Sequence, residues 1–120
     1  MENLKLNEDL KARSKRFSLD IFRFYDLLPK TEQSRIIGKQ LIRCASSVGA
    51  NTRSAFRGRS TKEFVAKLGI VVEEADESCF WLELVDELSL VKDNDKVKRL
   101  LKEAEELTAI FNSIKYKYKK

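Results

Sequence analysis

Apolar residues recur at steps of three and four along almost the whole chain of 120 residues, and only one proline (Pro29) and four glycines interrupt them. That period is the mark of long amphipathic helices, and no two-residue alternation competes with it. It predicts a first helix from about Asn7 to Leu28, with Leu10, Phe17, Ile21, Phe24 and Leu28 along one face. The residue before a proline is pushed out of helical backbone, so the helix ends at Pro29, and Thr31 caps the next one. A second helix is predicted from about Glu32 to Arg57. Gly58 breaks it, and Ser60 with Glu63 three residues on has the capping-box spacing that starts a third helix, from Thr61 to about Val91. The polar residues 92–95 separate this from a fourth, about Asp95 to Tyr118, with Val97, Leu100, Ala104, Leu107 and Phe111 on one side. Four helices of similar length with short connections predict an all-α fold, an antiparallel up-down four-helix bundle forming a single domain over 1–120.

Side-chain chemistry narrows the function. Histidine is absent, which removes the commonest general base and the commonest zinc ligand. The two cysteines, Cys44 and Cys79, lie far apart without metal-ligand spacing and read as reduced core thiols. The chain begins without the apolar run of a signal peptide, and no stretch reaches the roughly 18 apolar residues of a membrane span, so the expectation is a cytoplasmic protein without a membrane partner. No catalytic residue, metal site or cofactor is expected. The acids of the third helix project away from its apolar face, and without histidine they cannot complete the ligand set of a di-iron bundle.

The net charge of +5 is unevenly spread. Residues 35 to 67 carry eight Lys/Arg and one acid, whereas residues 73 to 95 carry nine Asp/Glu and one base. On a helical wheel Ile37, Leu41, Cys44, Ala45, Val48 and Ala55 form the core side of the second helix. Arg35, Lys39, Arg43, Arg53 and Arg57 gather on the opposite side within roughly 80°, a stripe about six turns long. An ordinary solvated face explains such a stripe, but it contains no acid, unlike the mixed-sign face usual for that role. It is therefore a candidate surface for nucleic-acid phosphates, extended by Arg59 and Lys62 at the helix junction and by the tail lysines. Tyr116 and Tyr118 interleave those lysines and can stack on unpaired bases; alternatively Tyr118 finishes the core stripe. Asn51 falls on the apolar side, where it is expected to bond a neighbouring helix and fix register.

The third helix carries a second apolar stripe, Ile70, Trp81, Leu84 and Leu88, beside its core face. Either it covers the edge of another helix, or it meets a second chain. Seven acids surround it, including Glu74 and Glu77. Some of them face Arg43 and Lys39 across the hairpin, and the rest can meet the basic region of a neighbouring subunit. Such head-to-tail pairing of unlike surfaces closes rings, so a cyclic homo-oligomer is expected, with Ile70, Glu74, Glu77, Trp81, Leu84 and Leu88 at its interface.

Two segments carry a family resemblance. SVGANTRSAFRGRSTKEF (47–64) and KLGIVVEEADESCFWLEL (67–84) resemble the bacterial four-helix-bundle family of proteins encoded in 23S ribosomal RNA intervening sequences. Matching positions include Asn51, Ser60, Phe64, Glu74, Glu77 and Trp81, and with the helix spacing the likeness covers nearly the whole chain. Many members read Ile-Ala-Glu-Gly after the asparagine, where this chain has Thr52-Arg53-Ser54-Ala55. The resemblance implies an antiparallel bundle. Through relatives such as the accessory protein of diversity-generating retroelements, it also implies a ring of five subunits whose basic surface binds nucleic acid and a reverse transcriptase.

Two functions follow as expectations, a non-catalytic homo-oligomer binding structured RNA or DNA through the basic stripe and, as the alternative, a protein-interaction scaffold without a nucleic-acid role; a third, a helical ribonuclease of the toxin-system kind, is set aside. The helical class of the last resembles an Arg-x-x-x-x-x-His pattern, which this chain cannot complete.

Overall fold

The computed structural model describes residues 4–119; Met1–Asn3 and Lys120, the last of the tail lysines, lie outside the described residues. Four helices follow in order: α1 (Leu4–Tyr25), α2 (Glu32–Ala55), α3 (Thr61–Glu87) and α4 (Asn94–Tyr118). Each packs antiparallel on the next, and α4 returns to α1 along a much thinner seam, so the molecule is an all-α four-helix bundle about 44 Å long. The core is the set of positions that the three-four period selects. Phe17 and Phe24 of α1, Leu41 and Val48 of α2, Phe64, Leu68 and Leu82 of α3, and Leu107 and Phe111 of α4 are all fully buried.

Polar groups and glycines set how closely the helices approach. On the α1–α2 seam Ser18 Oγ lies 2.6 Å from the Ala45 carbonyl, to which it donates. A Cβ at Gly49 would sit 2.5 Å from Ser18 Oγ, so glycine is what admits the bond. On the α2–α3 seam Ser78 Oγ lies 3.1 Å from Cys44 Sγ, inside the core. Both cysteines are free thiols, and burial pushes Cys79 up to about 11.

The helix ends differ from expectation in instructive ways. α1 stops at Tyr25 because the backbone tightens before Pro29: Leu27 and Leu28 donate to carbonyls three residues back, at 2.9 and 3.2 Å. α3 stops at Glu87, not near Val91, through a Schellman turn in which Ser89 N–H donates to Asp86 and Leu90 N–H to Val85. Ser89 has φ 53, the left-handed conformation usually given to glycine. The turn folds Leu90 and Val91 back onto the core. α2 ends at Ala55, two residues before Arg57, with short-range bonds from Arg57 and Gly58. The caps themselves fall where predicted: Thr31 accepts from Ser34 N–H and Ser60 from Glu63 N–H, at 3.2 and 3.1 Å. The return arm of the capping box goes to Arg59 N–H, at 3.5 Å, and not to Ser60.

Asn51 bonds no neighbouring helix among the described residues. Its amide donates to the carbonyl and hydroxyl of Ser47, one turn back on α2, at 3.0 and 2.8 Å. Its side chain is half-buried at the flank of the helix, where its own backbone is nearer than any partner. Register is held instead by the Ser18–Ala45 and Ser78–Cys44 contacts.

Candidate nucleic-acid interface

The outer side of α2 is polar because every third or fourth position is already committed to the core. Arg35, Lys39, Arg43 and Arg53 are all exposed there, Arg57 is exposed just past the end of the helix, and Arg59 and Lys62 are exposed in the turn and first residues of α3. These cations are of two kinds. Arg43 crosses to α3, where Nη1 reaches Glu74 at 3.1 Å and Nη2 meets Glu77, while Nε donates to Gln40 at 3.1 Å. Each of the three guanidinium nitrogens thus has an acceptor. The Glu77 carboxylate is held below its ordinary range, chiefly by the Arg43 hydrogen bond and then by the Trp81 indole. Arg35 has a solvent-exposed partner one turn back, Glu32 at 2.5 Å. Lys39, Arg53, Arg57, Arg59 and Lys62 form no ion pair among the described residues.

The fold adds cations that the α2 wheel does not contain. A shallow notch of about 240 Å³ on the α1–α2 seam is lined by Lys11, Lys15, Ser18, Ser46 and Arg53, with Gly49 at its base. It holds three cations and no acid. Lys11 has an exposed partner, Glu8 at 2.8 Å, while Lys15 has no ion pair among the described residues. The signal was present in sequence as the charges of α1, but only the Gly49 crossing brings them beside Arg53. In the tail, Tyr118 packs edge-on against Phe64 at 5.5 Å and so completes the core, while Tyr116 is 81% exposed.

The predicted interface residues divide as well. Trp81 and Leu84 are half-buried against the core, and Trp81 Nε1 donates to Glu77 at 2.9 Å. Glu74 and Glu77 are tied to Arg43. Ile70 and Leu88 remain exposed, and they are joined by two residues outside the predicted set, Phe80 at 51% and Ile36 at 52% exposure. Phe80 stands edge-on to Trp81 at 5.0 Å. Its wheel position lies near Leu84, which was the available signal. Ile36 is an apolar residue inside the basic stripe. No group of three or more Cys, Asp or Glu among the described residues is arranged to hold a metal ion, and no helix among them is long and apolar enough to cross a membrane.

Four helices, each packed on the next around one buried core, define a small all-α bundle. The family model of the 23S rRNA-intervening sequence protein matches residues 7–113, and the chain belongs to that family. A solved structure from Bacteroides thetaiotaomicron, described as a protein with unknown function from the S23 ribosomal protein family, superposes with a TM-score of 0.82 at 27% identity. The match covers 92% of this chain and 97% of that one. No curated protein matches the chain in sequence.

Proposed function

We propose that this protein is a non-catalytic homo-oligomer that binds structured RNA or DNA through the outer face of α1 and α2. The observation that carries the proposal is the division of the cations: Lys15, Lys39, Arg53, Arg57, Arg59 and Lys62 hold no carboxylate among the described residues, whereas each nitrogen of the Arg43 guanidinium already has an acceptor. A cation without an internal partner gives up nothing but counterions when it meets a phosphate. From Arg35 to Arg53 the face extends roughly 27 Å at the helical rise, long enough to follow a backbone. Contacts of this kind give affinity without sequence readout.

Self-association is supported by the opposite face. Ile70, Phe80 and Leu88 are exposed on α3 among Glu73, Glu83 and Glu87, opposite in sign to the α1–α2 face. Head-to-tail contact between the two would close a ring, and a monomeric mass by analytical ultracentrifugation removes that part of the proposal. The same exposed Phe80 favours the second function, a scaffold that docks another protein. Fluorescence anisotropy of a labelled structured RNA and a matched DNA duplex separates the two. Under the first, binding is micromolar or tighter, weakens steeply with salt and is lost in Arg53→Glu/Arg57→Glu. Flat curves at low salt would leave the scaffold.

A further inference from the structure

The α1–α4 seam is the thinnest in the bundle, and it opens into a cleft of about 480 Å³. The floor is apolar, formed by the core residues Phe17 and Phe24 of α1 and Leu100 of α4. Phe17 and Phe24 stand two turns apart on the stripe that the core claims, so the next positions round each helix form the rim. These are Arg16, Asp20 and Arg23 on α1, and Lys96, Arg99 and Glu103 on α4. Both acids are already engaged. Arg13, which does not line the cleft, holds Glu103 by two bonds of 2.7 Å, and Asp20 pairs with Arg23 at 3.4 Å. Arg16, Lys96 and Arg99 form no ion pair among the described residues, and Lys96 is half-buried. Four cations against two carboxylates leave the lining at +2. An apolar floor beneath uncompensated cations suits a molecule that has both an apolar body and an anionic group.

We infer that this cleft binds a nucleoside monophosphate, with the phosphate among Arg16, Lys96 and Arg99 and the base over Phe17, Phe24 and Leu100. A phosphate monoester carries close to two negative charges at neutral pH, which matches the lining, whereas a carboxylate carries one. Guanidinium groups suit it further, since each offers a planar pair of donors to two phosphate oxygens. From Arg16 to Arg23 the cleft runs roughly 10 Å at the helical rise, room for one ring system and its sugar but not for a long acyl chain. The floor side chains carry no polar atom, so they sense apolar area and not base edges. Purine and pyrimidine monophosphates therefore bind within about tenfold of one another. The cleft lies on the flank of α1 away from Lys11 and Ser18, and it does not depend on the α1–α2 face. Because its walls come from α1 and α4, a bound nucleotide bridges the thinnest seam and raises the melting temperature.

The test is a titration of the full chain with adenosine 5′-monophosphate at constant ionic strength, followed by amide chemical shifts, with adenosine and inorganic phosphate titrated in parallel. Saturable shifts are expected along 16–24 of α1 and 96–103 of α4, with adenosine and inorganic phosphate each binding at least about tenfold more weakly than the nucleotide. Arg16→Gln/Arg99→Gln should weaken the nucleotide by more than about tenfold at an unchanged melting temperature of the free protein, because both side chains are exposed and neither forms an ion pair among the described residues. Arg53→Glu/Arg57→Glu should leave the nucleotide titration as it is, so failure of the α1–α2 reading and failure of this one are told apart. A 5′-phosphorylated trinucleotide that binds more tightly at the same residues identifies a strand end as the source, and weaker binding identifies the free nucleotide. Three results would each overturn the inference: no shifts at these residues, shifts unaltered in Arg16→Gln/Arg99→Gln, or adenosine or inorganic phosphate binding as tightly as the nucleotide.

Discussion

Arg43 and Arg53 sit on the same exposed side of α2, ten residues apart, and are put to different uses. Arg43 joins α2 to α3 by gripping Glu74 and Glu77, a carboxylate pair three residues apart. The α1–α4 seam repeats the arrangement: Arg13 Nε and Nη2 each meet Glu103 at 2.7 Å, and Nη2 also meets Glu106 at 2.7 Å. Arg53 has no ion pair among the described residues. A positive charge on a helix surface therefore has two fates, and the neighbouring helix decides which one applies. Where it presents acids at helical spacing, the arginine becomes part of the fold; where it presents lysines, as α1 does with Lys11 and Lys15, the charge remains available to a partner. The two seams differ too. The α2–α3 fork lies over a well-packed interface, whereas the Arg13 fork spans the thinnest contact in the bundle.

The contrast can be broken in several places. The largest effect belongs to the unpaired cations: Arg53→Glu/Arg57→Glu should raise the Kd for a structured RNA by more than about tenfold, with the melting temperature unchanged. A drop in melting temperature of similar size to the binding loss would mean that these residues support the fold instead. Next come the forks. Arg13→Ala should cost about 1–2 kcal/mol in urea denaturation, because a bidentate contact is removed and two adjacent carboxylates are left facing each other. Arg43→Ala, at a more exposed position over a denser seam, should cost under about 1 kcal/mol. Equal losses would show that seam thickness is irrelevant. Ser89→Gly should stabilise by about 1 kcal/mol, since the left-handed residue of the α3 turn then carries no Cβ penalty.

The smallest effect is a pH dependence. Glu77 is held below its ordinary range by Arg43, so its contact contributes stability above the unfolded-state value and loses it as pH falls through the lower folded-state value. Stability followed from neutral pH into the acid limb should therefore fall less in Glu77→Gln than in the parent. A steeper fall in the variant would reverse the sign of the argument.

These same particulars mark what the sequence could convey. The four helices and the core were legible because burial repeats every three or four residues, and Thr31 and Ser60 were legible as caps because their chemistry is local. The end of α3 was not, because the left-handed position carries a serine where the usual glycine would have announced it. Asn51 misled for a related reason: a wheel gives its side, but not whether its own preceding turn is the nearest acceptor. The basic stripe was visible as a set of charges, yet separating Arg43 from Arg53 required knowing that α3 brings Glu74 and Glu77 to one and that α1 brings Lys15 to the other.

The most direct test of the central claim is the slope of log Kobs against log salt for a structured RNA, measured on the parent, on Arg53→Gln and on Arg43→Gln. An arginine that contacts a phosphate lowers the slope by about 1 when neutralised. The division of cations predicts that loss for Arg53→Gln and an unchanged slope for Arg43→Gln. Equal slopes in all three proteins, or a loss confined to Arg43→Gln, would contradict it.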